Sequence, residues 1–257
     1  MHGTRFGVDS HGVRLIPHYI KVLETGRLNK NPSIKFKNLK SGSGLLDGDH
    51  SQGALPTYRA MDHAIEMARN TGIAAVGITN SSHFGPAGAY TLHAAKKNMI
   101  ALAFCNSDSF VRLYDGAERF HGTNPISMAV PTGELDPWLF DMATSSVPFN
   151  RVELFRSLDQ KLPKDVASDK SGNSTDDPHI AEMLDPLGAS FGFKGAGLGG
   201  ISEIFSAVLT GMKLSPELLP MSGPDLKTPR ELGAFVIAID PEAVSYTHLR
   251  AHETKAN

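Results

Sequence analysis

The 257-residue sequence has one cysteine, Cys105, one tryptophan, Trp138, and almost no excess of charge of either sign, with 25 basic against 27 acidic side chains. A lone thiol cannot close an internal disulfide, so the expected setting is a reducing one, the cytoplasm by default. No apolar run approaches the roughly 18 residues of a membrane span. No long basic stretch interleaved with aromatics is present, which argues against nucleic acid and leaves a small neutral or anionic metabolite as the natural partner. Paired Cys/His ligand spacings and the H-E-x-x-H pattern are also missing, so no metal site is expected. Asp47-Gly48-Asp49-His50, in a chain with 11 histidines, keeps a metal-dependent hydrolase or aldolase as the alternative.

What is present is a 40% hydrophobic chain, long enough to bury a sizeable core in one or two domains. Ile73 to Thr79 reads as a buried strand, and Pro86 is placed to open a helix over Ala87 to Asn98. Between them the loop Asn80-Ser81-Ser82-His83-Phe84-Gly85-Pro86 sets His83 at the strand's carboxyl end, where open α/β sheets form ligand crevices. With the strand Ile100 to Cys105 this is a strand–helix–strand unit, which implies a parallel, right-handed crossover. A helix from about Leu55 to Arg69 offers Met61, Ala64, Ile65 and Ala68 to the core. Ile126–Val130 and Trp138–Met142, joined by a Pro/Gly-rich connection, suit an antiparallel hairpin. The polar stretch from about Lys161 to Asp177 is expected on the surface, outside the core. Ile201, Ile204, Phe205, Val208 and Leu209 mark an amphipathic helix packed on the sheet.

Gly195-Ala196-Gly197-Leu198-Gly199-Gly200 formally matches a dinucleotide fingerprint, but no buried strand precedes it, so a Rossmann site is rejected. Two readings stay open. A glycine-rich helix start beside Lys194 could bind a phosphate, or the glycines permit close packing. Near the chain start Ser10, His11, Arg14 and Tyr19 have helical spacing, so imidazole, guanidinium and phenol could converge on one anion. Both chain ends read as unnatural: the first residues enter a motif partway through a domain, and Ser245 onward resembles translated sequencing-adapter read-through.

Four segments in order carry a family resemblance: Asp9-Ser10-His11-Gly12, Ser82-His83-Phe84-Gly85, Gly122-Thr123-Asn124-Pro125 and Phe140-Asp141-Met142-Ala143-Thr144. Together they resemble the malate/L-lactate dehydrogenase family of the second, non-Rossmann type, which includes ureidoglycolate, sulfolactate and cyclic-imino-acid oxidoreductases. The resemblance implies a mixed α/β fold with a largely antiparallel cofactor-binding sheet and flanking helices, and it overrides the parallel default. It further implies hydride transfer between NAD or NADP and a small 2-hydroxy acid, in a homodimer. The expected domains are a substrate-side lobe at 1–106, a cofactor lobe at 107–234, a strand at 235–244 returning to the first lobe, and a non-native tail at 245–257. Family members carry a further helical segment before the first motif and a region after Asp240, so a non-catalytic fragment is a second alternative.

Oxidising a 2-hydroxy acid requires one group to take the hydroxyl proton, and an imidazole with an ordinary pKa of about 6.5 serves in both directions. By resemblance His83 is that acid/base, and Asp108 faces the substrate or orients a histidine. Ser10, His11, Arg14 and Tyr19 hold the substrate, Arg14 standing one position before the arginine of many relatives. Ser107, Thr123, Asp141, Met142, Ala143 and Lys194 border the cofactor.

Overall fold

The computed structural model describes residues 2–8 and 11–244. Ser10, one of the expected substrate-binding residues, and the tail at 245–257 lie outside the described residues. The first half of the chain runs through α1 (His2–Arg5), α2 (Ile16–Glu24), β1 (Lys35–Lys40), β2 (Ser43–Asp47), α3 (Ala54–Thr71), β3 (Ile73–Ser81), α4 (Gly88–Ala95) and β4 (Ile100–Cys105). The second half holds β5 (Val111–Arg112), β6 (Arg119–His121), β7 (Ile126–Val130), β8 (Trp138–Met142), α5 (Phe149–Ser157), β9 (Ala167–Ser168) and β10 (Met183–Leu184). It ends with α6 (Phe193–Glu203), whose last turn widens to π geometry over Ile204–Val208, then β11 (Leu232–Ile239) and α7 (Pro241–Val244).

Two sheets organise these elements. The larger has seven strands in the order β1-β2-β3-β11-β4-β7-β8, and only the β2/β3 pairing is parallel. A mixed, largely antiparallel α/β architecture results. β3 and β4 point the same way, as expected of a strand–helix–strand unit, but β11 is inserted between them and pairs antiparallel with both. That insertion brings together strands more than a hundred residues apart, a non-local pairing that no local pattern encodes. The hairpin β7/β8, assigned from sequence to the cofactor lobe, is hydrogen-bonded to β4 and so extends the sheet of the other lobe. The smaller sheet has the order β6-β5-β10-β9.

The main core lies under the large sheet. Met61, Ala64, Ile65 and Ala68 of α3 fall on one face at three- and four-residue spacing and meet Val76, Ile78, Val236 and Ala238. A separate apolar cluster joins Val111, Val152, Leu162, Val166, Ala167, Ala181 and Leu184 beside the small sheet. Leu162, Val166 and Ala167 come from the stretch 161–177 that its polarity placed on the surface or a cleft edge, outside the core. Three apolar residues among many polar ones give no periodic signal, yet β9 and its flanks insert there.

The helix at 193–208 forms where expected; of its five expected core residues Phe205 packs on the sheet, 4.7 Å from the Phe104 ring and 5.2 Å from that of Phe235, while the other four turn outward. Ile201, Ile204, Val208 and Leu209 are 44%, 51%, 60% and 59% exposed, whereas Ser202, Ser206, Ala207 and Thr210 are buried. Small side chains win that face because they let the helix come close to β11, and their hydroxyls find partners. Ser202 Oγ donates to the Cys105 and Pro125 carbonyls, and Ser206 and Thr210 donate back to carbonyls one turn earlier.

Candidate active site

The loop after β3 is fastened from three sides. Gln52 donates to the His83 carbonyl at 3.1 Å, and the buried Tyr90 hydroxyl bonds the Phe84 carbonyl. The start of α3 presses on the same loop: a methyl carbon at Gly53 would stand 2.1 Å from the Ser82 carbonyl oxygen, so only glycine permits this approach. A short loop with its carbonyls held in this way has little freedom to swing the His83 ring.

Tyr19 Oη lies 2.7 Å from His83 Nδ1, and the His11 ring stacks on the His83 ring with centroids 5.4 Å apart. Residues 11, 19 and 83 are therefore brought together. Arg14 is not in this group: it sits in a 3-10 turn at Val13–Leu15 and is exposed. The regular helix starts only at Ile16, which breaks the helical spacing from which convergence of 11, 14 and 19 was expected.

Burial holds the His83 imidazole well below its ordinary pKa, reinforced by His11, Arg230 and His18. His11 is lowered by burial as well. Burial pushes the Tyr19 phenol up to about 12, so it keeps its proton. The outcome is a neutral imidazole at neutral pH with Nδ1 engaged by Tyr19.

Beside this triad a cleft of about 350 Å³ opens. His11, Thr123, Asp141, Met142 and Ala143 all line it, together with Gly85 and Pro86 from the His83 loop. The carboxyl of Asp141 accepts a 2.7 Å hydrogen bond from the Gly88 amide at the start of α4, yet burial raises its pKa. Ser107 stands behind this wall: its hydroxyl accepts from the Thr123 amide at 3.0 Å and lies 3.1 Å from the Thr123 hydroxyl.

Two expected residues sit elsewhere. Asp108 pairs with the buried Arg230 and accepts from the Met221 amide at 2.7 Å, and no histidine is among these partners. Lys194 is exposed, its ammonium 5.2 Å from the centre of the Phe191 ring. Lys194 and Gly195 stand in the first turn of α6, while Gly197, Gly199 and Gly200 lie deeper in the helix, their amides part of its hydrogen-bond ladder. Close packing is what they provide: a methyl at Gly195 would fall 2.2 Å from the Leu187 carbonyl, and one at Gly199 would touch Thr144 and His121. Asp47 and Asp49 are spent on folding their own loop, bonding Asn80, Asn29 and local amides.

With this geometry in hand, comparison with known proteins gives one consistent result. A family model described as Malate/L-lactate dehydrogenase matches residues 1–256. The chain belongs to the malate/L-lactate dehydrogenase family. It is 39% identical over 212 residues to a malate dehydrogenase of Pyrococcus abyssi, covering 80% of this chain and 58% of that protein. It is 34% identical over 244 residues to an NAD(+) ureidoglycolate dehydrogenase of Escherichia coli K12, covering 95% and 68%. The sulfolactate dehydrogenase structure from Methanocaldococcus jannaschii superposes with a TM-score of 0.88 at 30% identity, over 98% of this chain and 72% of that one. The chain thus spans about three-fifths of the length of the first of these relatives.

Several residues of this family member's site carry no local sequence signal. Arg230 meets Asp108 across 122 positions, and a second buried guanidinium, Arg27, donates to the Pro220 and Met221 carbonyls. Their pairing is set by tertiary structure alone, and their burial marks them once the fold is known.

Proposed function

We propose that this chain carries out reversible oxidation of a small 2-hydroxy acid to the 2-oxo acid, with His83 as the acid/base group and NAD or NADP as cofactor. The observation supporting this most directly is the neutral, buried His83, its Nδ1 bonded to Tyr19, beside the cleft lined by His11 and Asp141. The cleft fits a nicotinamide group: its walls are mostly apolar, from Pro125, Leu139, Met142 and Ala143, and it offers one carboxyl edge. Thr123, Asp141, Met142 and Ala143 would hold that group, which when bound supplies the hydride acceptor. Lys194 stands outside this set.

In the oxidative direction the substrate hydroxyl proton passes to His83 Nε2. Tyr19 supports both protonation states: its lone pair accepts from Nδ1–H when Nε2 is the base, and the same Nδ1–H···Oη bond persists in the imidazolium formed when Nε2 takes the proton. The guanidinium of Arg230, near enough to His83 to lower its pKa, favours a substrate carrying a carboxylate. His11 is the candidate for its direct contact. Asp108 acts by holding Arg230 and the 221 backbone in place.

The homodimer inferred from resemblance, and a cytoplasmic setting, belong to the same proposal. The exposed apolar face of α6 is compatible with a subunit contact, and among the described residues no helix is long and apolar enough to cross a membrane. The test is His83→Ala assayed with a panel of 2-oxo acids and both reduced cofactors. Turnover should fall by about 100-fold or more while NADH or NADPH fluorescence still reports binding. Retained turnover would reject His83 as the proton carrier.

A further inference from the structure

Glu203, at the last residue of α6, is a buried carboxylate that the chemistry above does not use. Its Oε1 accepts from the Ser215 amide at 2.6 Å and from Asn106 Nδ2 at 3.3 Å. Its Oε2 accepts from Asn124 Nδ2 at 2.6 Å and from the Ser215 hydroxyl at 2.7 Å, with His121 Nδ1 3.5 Å away. Burying a carboxylate is costly, and a native fold retains one where several donors converge on it. Here the donors come from three separate segments. These hydrogen bonds outweigh burial and hold the Glu203 pKa below the usual range, so it is ionised at neutral pH.

What this carboxylate organises is the wall of the cleft. Asn124 has φ of +33°, a left-handed backbone that a side chain other than glycine adopts only when its surroundings enforce it. Its amide is gripped at both ends: Nδ2 donates to Glu203 and to the Gly199 carbonyl at 3.1 Å, while Oδ1 accepts from the Ser107 amide at 3.2 Å. Thr123, the next residue back, is tied to Ser107 by two contacts and projects into the cleft beside Pro125. Remove the carboxylate and the Asn124 amide loses its shortest hydrogen bond, keeping the longer ones to the Gly199 carbonyl and from the Ser107 amide. The strained turn is then held less tightly, and Thr123 with it.

We propose that Glu203 is a positioning residue that fixes the Thr123 wall of the cleft through Asn124, and so sets affinity for the cofactor rather than for the hydroxy acid. The proposal rests on the nucleotide reading of that cleft given above. Three outcomes are expected for Glu203→Ala in the full chain. Amide hydrogen exchange at Thr123 should quicken more than tenfold relative to exchange in β3, the Kd for NADH or NADPH should rise about tenfold or more, and KM for the 2-oxo acid should change less than twofold. Glu203→Gln should fall between wild type and alanine, because its amide NH2 would point at Asn106, Asn124 or Ser215 donors. If Glu203→Ala does not fold, Asn124→Ala leaves the positive φ strained, removes the same link, and should give the same exchange and affinity changes. A folded variant with unaltered exchange at Thr123, or with cofactor affinity and substrate KM moving together, overturns the proposal. If the wild-type protein binds neither nucleotide, the functional reading fails, and the exchange measurement, which needs no ligand, still decides whether Glu203 fixes Thr123.

Discussion

At the scale of single residues, the Tyr19 hydroxyl is the contact whose loss is easiest to read. Replacing Tyr19 by Phe keeps the ring beside His83 and removes only the Oη–Nδ1 interaction. The buried Nδ1 is then left without its partner, a cost of about 1–3 kcal/mol, which corresponds to roughly a 5- to 150-fold fall in kcat if it is borne by the imidazolium formed during turnover. Cofactor binding, measured by fluorescence, should be unchanged. The pH profile of kcat/KM for oxidation provides a second check. Because burial and the nearby cations lower the His83 pKa, the base form persists below pH 6.5, and activity should decline only at a pH lower than an ordinary histidine would give. An acidic limb at or above 6.5 would mean that another group controls the rate. The triad also shows what was legible at this scale. His83 and His11 sit in short motifs and were named from sequence, whereas the role of Tyr19 as partner of the imidazole needed the 64-residue separation between them to be closed by the fold.

At the scale of elements, the contact between the helix at 193–208 and β11 decides the packing. The Ser206 carbonyl approaches Gly233 so closely that a methyl there would lie 1.6 Å from it, with Thr210 Oγ1 at 2.7 Å. Gly233→Ala must therefore push the π turn off the sheet, and by the usual cost of overpacking it should destabilise the fold by about 3 kcal/mol or more. Val208→Ser, on the exposed face of the same helix, should change stability by less than about 0.5 kcal/mol. Chemical denaturation of the two variants measures both, and equal effects would mean that the buried face has been misassigned. The periodicity of Ile201, Ile204 and Val208 gave the helix correctly but not its orientation. Hydrophobic patterning assumes that the apolar face is the buried one, and it fails where serine, alanine and glycine allow a closer approach than isoleucine would. α3, whose buried face is both small and apolar, meets the assumption and was readable to within two residues at each end. The insertion of β11 between β3 and β4 was beyond any local pattern, because its partners are chosen by which sheet edge is open, not by nearby residues.

At the scale of the whole molecule, the buried histidines tie stability to pH with a definite sign. His83, His11 and His18 all have pKa values lowered from 6.5, burial being the first cause of each. Between those folded-state values and 6.5 the unfolded chain binds more protons than the folded one, so stability is fully present above pH 6.5 and is lost as pH falls. Each group contributes at most about 1.4 kcal/mol per pH unit over its own window. The carboxylate of Glu203 acts in the same direction but lower down, since its pKa is depressed from an ordinary value already near 4.5. Asp141, raised by burial, opposes it in the acid range. Thermal unfolding followed by circular dichroism from pH 8 to pH 4 should therefore show a plateau, a first decline beginning near 6.5, and a second below about 4.5. His83→Gln should make the first decline shallower, because an amide cannot take the proton while His11 and His18 still do, and should leave the second in place. A melting temperature that stays constant from pH 7 to 5.5 in the wild type would show that protonation of these rings is not coupled to folding, and the neutral, base-ready His83 would lose its physical footing.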